Sequence, residues 1–319
     1  MALVQGRAEK QMTQSHSADK LIETYTDLLL DLIREKSKTG PRTYGFEYEF
    51  LPETPLSPDH LDRLYAFLPR CGFYPEDGWF RHGQGISITF EPGGQIEYLS
   101  RPLLPEDTEA IEKALATIQH TNRAIKREWG LSYLAVGYLP GRGEAPLCLN
   151  SERYRLLHDR FGRSGARGRE MMKGTASIHL HVVIRNLDEI APLFVNLCEM
   201  SRSRLFGMSP ERRDIWNKTD PGRCGLPYTG INRSSDPRQV IAEVVRVAVE
   251  ADVVGEDRPF KELTNPGFDA FLYHLTTIFT DVRLNVKGPT MELRTPDSVP
   301  FPEFRMLWSQ FVETLPQKE

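Results

Sequence analysis

The sequence predicts an α+β fold built on one largely antiparallel sheet, and three observations carry that prediction. TYGFEYEFL (43–51) alternates Tyr44, Phe46, Tyr48 and Phe50 with Gly45, Glu47 and Glu49, the period of a strand with one face in a core. ISITF (86–90) and QIEYL (95–99) are separated only by a tight Glu-Pro-Gly-Gly turn, which suits antiparallel neighbours and is too short for a parallel crossover. Between these and the other alternating segments lie stretches whose apolar residues recur at helical spacing.

Taken in order, DKLIETYTDLLLDLIREK keeps the helical period from about Ala18 to Lys36, and KTGPR stops it. After the strand at 43–51, a helix is expected near 57–69, the hairpin at 86–99 and a helix at 105–129. Strands are expected at 132–138 (SYLAVGY), 175–184 (TASIHLHVVI), 281–286 (DVRLNV) and 290–295 (TMELRT). Further helices are expected near 187–204, 236–254, 267–278 and 302–314. Stretches rich in Gly, Arg, Ser and Pro at 139–147, 161–169 and 217–238 read as loops, and the first two are candidates for mobile cover over a site. Residues 1–18 read as a flexible N-terminal tail and 19–319 as one domain.

Composition narrows the function. The chain has 319 residues, 39% of them hydrophobic, enough for a substantial core. Forty basic against forty-four acidic residues leave a formal charge of −4, which argues against nucleic acid or an anionic membrane as the main partner and favours small molecules. Cys71, Cys148, Cys198 and Cys224 are dispersed, as expected of reduced thiols in a cytoplasm. No run approaches the ~18 apolar residues of a membrane span.

The strands carry an unusual set of polar pairs. Glu47 and Glu49 form E-x-E, Glu91 and Glu97 flank the Gly-Gly turn, His179 and His181 form H-x-H, and Glu292 and Arg294 form E-x-R. Residues two apart on a strand point the same way, so one sheet face can gather several carboxylates, two imidazoles and an arginine. Like charges 4 Å apart repel by roughly 4 kcal/mol at an effective dielectric near 20, and divalent metal is the economical neutraliser. Such an oxygen-rich set suits Mg²⁺ or Mn²⁺ bound with substrate phosphates. Imidazole is a less usual Mg²⁺ ligand, so one histidine, with His181 the less certain ligand, is assigned to a phosphate or nucleotide. Arg155, Arg212, Arg213, Arg223 and Arg294 supply the cations that phosphoryl transfer needs. No G-x-x-x-x-G-K-S/T loop is present, so ATP would be held by metals and arginines on a sheet. Trp79, Trp129, Trp308, Met171 and Met172 are read as packing residues and Trp216 as an anchor for its loop.

FEPGGQIEYLS (90–100) resembles the E-P-G-G-Q-x-E-L-S signature of glutamate–cysteine ligases of the plant and proteobacterial type, within the glutamine-synthetase-like carboxylate–amine ligases. The similarity continues in order. GFEYEF, LAVGYLP, ERYRLLHDRFGRSGARGREMMKGTASIHLHV, SPERRDIWNKTDPGRCG and HLTTIFTDVRLNVKGPTMELRTPDS are similar to successive family segments, spanning roughly 43–298. The resemblance implies a curved, largely antiparallel sheet with the active site on one face and helices packed on the other. It implies ATP-dependent formation of a γ-glutamyl amide through an acyl phosphate, with cysteine or another amine as acceptor.

It also implies residue roles. Glu47, Glu49, Glu91, Glu97, His179 and Glu292 would hold Mg²⁺ or Mn²⁺; Arg213, Arg223 and Arg294 would serve catalysis; His181, Arg155 and Arg294 would contact ATP. Gly93, Gly94, Gln95 and Arg101 would meet the amino-acid substrate. Arg101-Pro102 stands where the family has Gly-Ala-Pro, and the family's usual helical extension is not expected after MELRTPDS, so the acceptor pocket is expected to be open, remodelled or completed by another subunit or a homo-oligomer. Phosphotransfer to a carboxylate or guanidino group, and a non-catalytic nucleotide- and metal-binding relative, are the alternatives.

Overall fold

The computed structural model describes residues 2–256 and 258–315, with side chains described from residue 18 onward. The strands are β1 (Tyr44–Pro52), β2 (Phe73–Glu76), β3 (Trp79–His82), β4 (Ile86–Phe90), β5 (Ile96–Ser100), β6 (Tyr133–Leu134), β7 (Ile178–Val183), β8 (Cys224–Gly225), β9 (Phe279–Thr280), β10 (Val282–Asn285) and β11 (Thr290–Leu293). The helices are α1 (Ala2–Lys36), α2 (Pro58–Phe67), α3 (Thr108–Trp129), α4 (Glu152–Ser164), α5 (Gly168–Gly174), α6 (Ile190–Met200), α7 (Pro210–Asn217), α8 (Pro237–Glu250), α9 (Phe268–Leu275) and α10 (Phe301–Thr314). The fold is α+β, as the alternation predicts. The tail expected over 1–18 falls on residues whose side chains, bar that of Ala18, lie outside those described.

One sheet runs in the order β10-β11-β7-β1-β5-β4-β3-β2, with β6 paired to β1, and every pairing in it is antiparallel. The sheet is not closed into a barrel. A separate two-residue parallel pairing joins β8 to β9. β1 lies centrally because its alternation is the most complete: Tyr44, Phe46, Tyr48 and Phe50 are all at most 2% exposed. Their face packs on α10, where Phe304 stacks on Tyr48 at 4.7 Å and meets Phe46 edge-on at 5.0 Å. Such aromatic pairs add about 0.5–1.5 kcal/mol each beyond the area they bury. Ile86, Ile88, Ile96, Tyr98, Ile178, Leu180, Val182, Met291 and Leu293 extend this face across the sheet, all at 0% exposure.

The other face is therefore free to carry polar groups, and α4 and α5 lie over it. The chain at 161–169, expected as a mobile loop, is mostly the end of α4 and the start of α5. Gly168 permits that tight junction: a Cβ there would sit 2.4 Å from the Phe161 carbonyl oxygen. The strand expected at 132–138 shortens to Tyr133–Leu134, and the hairpin β2–β3 is an addition.

Candidate active site

Register places the polar pairs in contact. Across β1 and β7 Glu47 lies opposite His179; across β1 and β5 Glu49 lies opposite Glu97; across β7 and β11 His181 lies opposite Glu292; across β10 and β11 Arg283 lies opposite Glu292. All project from the face opposite the aromatic core. Glu91 joins them from the turn between β4 and β5. That turn closes through Glu91 N–H to the Gln95 carbonyl at 2.9 Å and Gly94 N–H to the Glu91 carbonyl at 2.8 Å, with Gly94 at φ +82°. Glycine is the residue suited to that left-handed conformation.

Glu47 is the hub. One carboxylate oxygen bonds His179 Nδ1, and the other lies 3.3 Å from His181 Nε2. His181 Nδ1 in turn lies 3.7 Å from Glu292 Oε1. Glu292, wholly buried, accepts from Arg283 Nε at 2.7 Å and Arg294 Nη1 at 3.1 Å. Glu49 accepts from the Ser177 main-chain N–H at 2.7 Å and its hydroxyl at 3.1 Å.

The carboxylates fall into two electrostatic groups. Burial opposes the Glu47 charge, but His181 and His179 outweigh it and hold the carboxyl well below the usual carboxylate range. Burial likewise opposes the Glu292 charge, and Arg283 and His181 overcome it, so Glu292 is also lowered. His181 is raised, since Glu292 and Glu47 outweigh its burial. His179 is lowered, by burial and by Arg294, against the opposing pull of Glu47. On the β5 side Arg294 and Arg153 oppose the rise but do not prevail. Burial followed by Glu49 and Glu47 pushes Glu91 up to about 8, and burial followed by Glu47, Glu91 and Glu49 raises Glu97 well above its ordinary value. A crowded carboxylate group of this kind calls for added positive charge.

Divalent metal fits that demand. Ligand atoms of Glu47, Glu97 and His179 lie within 4.8 Å of one another, as do those of Glu47, His181 and Glu292. His181 Nε2 and Glu292 Oε1 are buried without a hydrogen-bond partner among the described residues, so each has a lone direction to give. The carboxylates that dominate the set suit Mg²⁺ or Mn²⁺, with imidazole the less usual ligand of Mg²⁺.

The first of these clusters opens onto a cavity of about 250 Å³, bordered on the sheet side by Glu47, Glu49, Glu91, Glu97, His179 and Arg294. Its wall opposite the sheet includes Tyr154, Leu157 and Phe161 of α4 and Met171 and Met172 of α5, with Trp216 and Phe279 beside them. Met171 and Met172, read from sequence as packing residues, and Trp216, read as an anchor for its loop, are buried as expected and also form this apolar wall.

Several expected site residues are placed elsewhere. Arg223 has no exposure: it bonds Asp220 at 3.1 Å, the Thr277 hydroxyl at 2.6 Å and the Asp252 carbonyl, and it does not border the cavity. Arg213 is committed to Asp281 by two bonds of 3.1 and 2.8 Å. Arg212 is fully buried and donates to the carbonyls of Arg294, Thr295 and Pro296 and to Asp297. Arg155 is exposed on the outer side of α4, away from the cavity, because the helical turn brings Arg153 inward instead. Arg101 is exposed and faces Asp107 at 3.6 Å. Gln95 borders the cavity, but its amide is used internally, accepting from Gly93 N–H at 2.8 Å and donating to Thr175 O at 3.0 Å. A Cβ on Gly93 would lie 2.5 Å from the Lys173 carbonyl oxygen, so Gly93 serves close backbone approach.

Other residues of the site were not singled out from sequence. Arg283 borders the cavity beside Arg294, one strand further along the ladder. Arg153 borders it from α4, bonding the Thr276 hydroxyl at 2.9 Å and carbonyl at 3.1 Å. The signal was present: positions 153, 154, 157 and 161 share one helical face.

Comparison with known proteins agrees with the motif order. The glutamate-cysteine ligase family 2 (GCS2) model matches residues 43–205. A chloroplastic glutamate–cysteine ligase of Solanum lycopersicum is 26% identical over 309 residues, covering 84% of this chain and 57% of the relative. The corresponding protein of Arabidopsis thaliana is 25% identical, over 67% of this chain and 46% of the relative. The chain thus spans about half the length of the curated relatives it matches. With the family model covering residues 43–205 and the acids of β1 and β5 meeting His179 of β7 at one cavity, this chain belongs to glutamate-cysteine ligase family 2.

Proposed function

We propose that the chain, with 19–319 as its catalytic domain, is an ATP- and Mg²⁺-dependent carboxylate–amine ligase, using glutamate as donor and cysteine or another amine as acceptor. The observation that carries the reading is the pair of carboxylate–imidazole clusters that share Glu47, of which Glu47, Glu97 and His179 stand at the floor of one cavity. In this reading Glu47, Glu49, Glu91, Glu97, His179 and Glu292 hold Mg²⁺ or Mn²⁺, with His181 bridging Glu47 and Glu292. Bound divalent ions would neutralise the triphosphate and polarise the transferring group.

The glutamate γ-carboxylate attacks the γ-phosphorus of ATP and ADP leaves. The acceptor amine then attacks the acyl carbon of the resulting acyl phosphate, phosphate leaves, and the amine loses its proton. Arg294 and Arg283 are the cations at the cavity floor, suited to charge on the equatorial oxygens of the moving phosphoryl group. The apolar wall of Leu157, Phe161, Met171, Met172, Trp216 and Phe279 excludes water, which would otherwise hydrolyse the acyl phosphate. Arg153 takes the place first given to Arg155. Arg213 and Arg223 act on this site only by holding its surroundings.

A cytoplasmic setting belongs to the same proposal and is supported by four free cysteines; nucleic acid and membrane are not expected as partners, and a homo-oligomer or partner subunit is. Among the described residues no helix is long and apolar enough to cross a membrane. The test is ADP release with ATP, Mg²⁺, glutamate and a panel of amines. Sustained release that requires both donor and acceptor, with an amide product, supports the ligase. A phosphorylated product accumulating without amide would make the chain a phosphotransferase. ATP·Mg binding without any ADP would make it a non-catalytic relative.

A further inference from the structure

One large aromatic side chain at the catalytic cavity has no part in the reaction described above. Trp79, read from sequence as a packing residue, borders the cavity from β3. Its neighbour Phe80 takes the core side of the sheet, stacked on Tyr65 at 5.5 Å and set opposite Ile88 of β4. Strand alternation therefore sends Trp79 to the polar face that carries Glu47, Glu49 and Glu97. β3 runs antiparallel to β4, so its first residue lies along the end of β4 that leads into Glu91.

The indole is anchored through its backbone but not packed. Asp77 and Gly78, at φ +48° and +81°, close the β2–β3 hairpin as a two-residue turn directly before Trp79 and fix where its side chain starts. Trp129, Trp216 and Trp308 each pack in a hydrophobic cluster. Trp79 does not: it is half-buried, joins neither cluster, and among the described residues meets no other ring and gives its indole N–H to no acceptor. A large apolar ring left at the wall of a cavity is surface that a ligand gains by covering.

The charges around the ring select the ligand. Glu76 stands opposite Trp79 across the hairpin, and the nearby Arg81 is ion-paired to it. Glu91 and Glu97 border the same cavity. Arg283 and Arg294, the cations suited to the moving phosphoryl group, stand on β10 and β11 at the far end of the strand order from β3. Arg153, whose charge reaches Glu91 from α4, is bonded to Thr276. An acid-rich end of this kind repels phosphate oxygens and draws an ammonium group, which the face of an indole also attracts.

We infer that Trp79 is a specificity-determining residue whose indole is the surface against which the amine acceptor binds. The acceptor class that fits is a primary amine with an apolar body: the ammonium arrives toward the acids and the body covers the ring, with Pro92 as a further apolar surface of the cavity. The inference deepens the ligase reading and rests on it for the identity of the substrate.

Steady-state kinetics with ATP, Mg²⁺, glutamate and, one at a time, cysteine, alanine and leucine test it. Trp79→Ala is expected to raise KM for the best acceptor about tenfold while KM for ATP and for glutamate stays within about twofold, and Trp79→Phe, which keeps a ring, recovers most of the loss. If Trp79→Ala does not fold, Trp79→Leu takes its place. An acceptor KM that the substitution leaves unchanged overturns the inference, and so does a rise confined to ATP. Should no amine support turnover, the ligase reading falls and indole fluorescence decides the inference alone. Wild type titrated with the same amines, with and without Mg²⁺ and a non-hydrolysable ATP analogue, is then expected to show a saturable change that Trp79→Phe lacks. A change that is absent, or that Trp79→Phe keeps, overturns the assignment of Trp79.

Discussion

Glu47 faces two imidazoles at once: it bonds His179 across the β1–β7 ladder and stands 3.3 Å from His181, two residues along the same strand. Both candidate metal clusters pass through this one carboxylate. Glu47→Gln keeps the shape and removes the charge, so turnover is expected to fall by about 10²–10³, as for loss of a preorganised electrostatic group. Steady-state ADP release at saturating Mg²⁺ measures it, and a fall below threefold would remove Glu47 from the site.

Arg223 is expected to matter for folding more than for rate. Its guanidinium is fully buried on Asp220, Thr277 and Asp252, and Arg160 bonds the same two aspartates at 2.7 and 3.1 Å. Breaking a buried pair by removing one partner costs about 3–5 kcal/mol. Arg223→Leu should lower the denaturant midpoint accordingly, while protein that remains folded keeps its KM for ATP. A raised KM with an unchanged midpoint would return Arg223 to the active site.

How far the sequence reveals this site can be judged from such residues. The carboxylates and imidazoles were legible because strand alternation fixes their direction locally. Arg223 was not: its partners Thr277 and Asp252 are distant in sequence, so motif position alone could not separate a buried brace from a phosphate contact. Arg153 is not among the sequence candidates, because no helix is expected over 152–164; as α4 that segment brings Arg153, and not Arg155, to the cavity. β2 and β3 escaped notice because β2 is exposed after Phe73, β3 is half-buried along its whole length without alternation, and Pro75 interrupts the first, as an edge strand allows. The central strands themselves followed from alternation, but the outer hairpin had no such pattern, and the sheet order came only with the structure.

The turn between β4 and β5 predicts a steric result. A methyl at Gly93 meets the Lys173 carbonyl oxygen at 2.5 Å and its Cα at 2.6 Å, both backbone atoms that cannot rotate away. Gly93→Ala should therefore destabilise the fold by about 1–3 kcal/mol and lower activity with it, because Glu91 sits on the same turn. Thermal denaturation and ADP release on one preparation check both; unchanged stability would show the turn to be looser than described.

His274 predicts a pH window. Burial, with the nearby Arg223 and Arg160 charges adding, pushes its imidazole down to about 4, although Nε2 lies 2.8 Å from the Ala248 carbonyl. In the unfolded chain the group titrates near 6.5, so between these values the unfolded state binds more protons and stability rises with pH. The contribution is complete above about 6.5 and is lost as pH falls toward 4, about 3 kcal/mol in all. Urea denaturation of wild type and His274→Gln across that range should show a shallower pH slope in the variant. Parallel curves would exclude the histidine as the cause.

The central claim is that the β-sheet acids grip divalent ions together with a nucleotide. Electron paramagnetic resonance of Mn²⁺, titrated into the protein with and without ATP, tests it most directly. The expected result is at least two bound ions in the presence of ATP, with Glu47→Gln and Glu97→Gln each abolishing or greatly weakening at least one. Free Mn²⁺ signal undiminished by the wild-type protein, or binding untouched by both substitutions, would contradict the account.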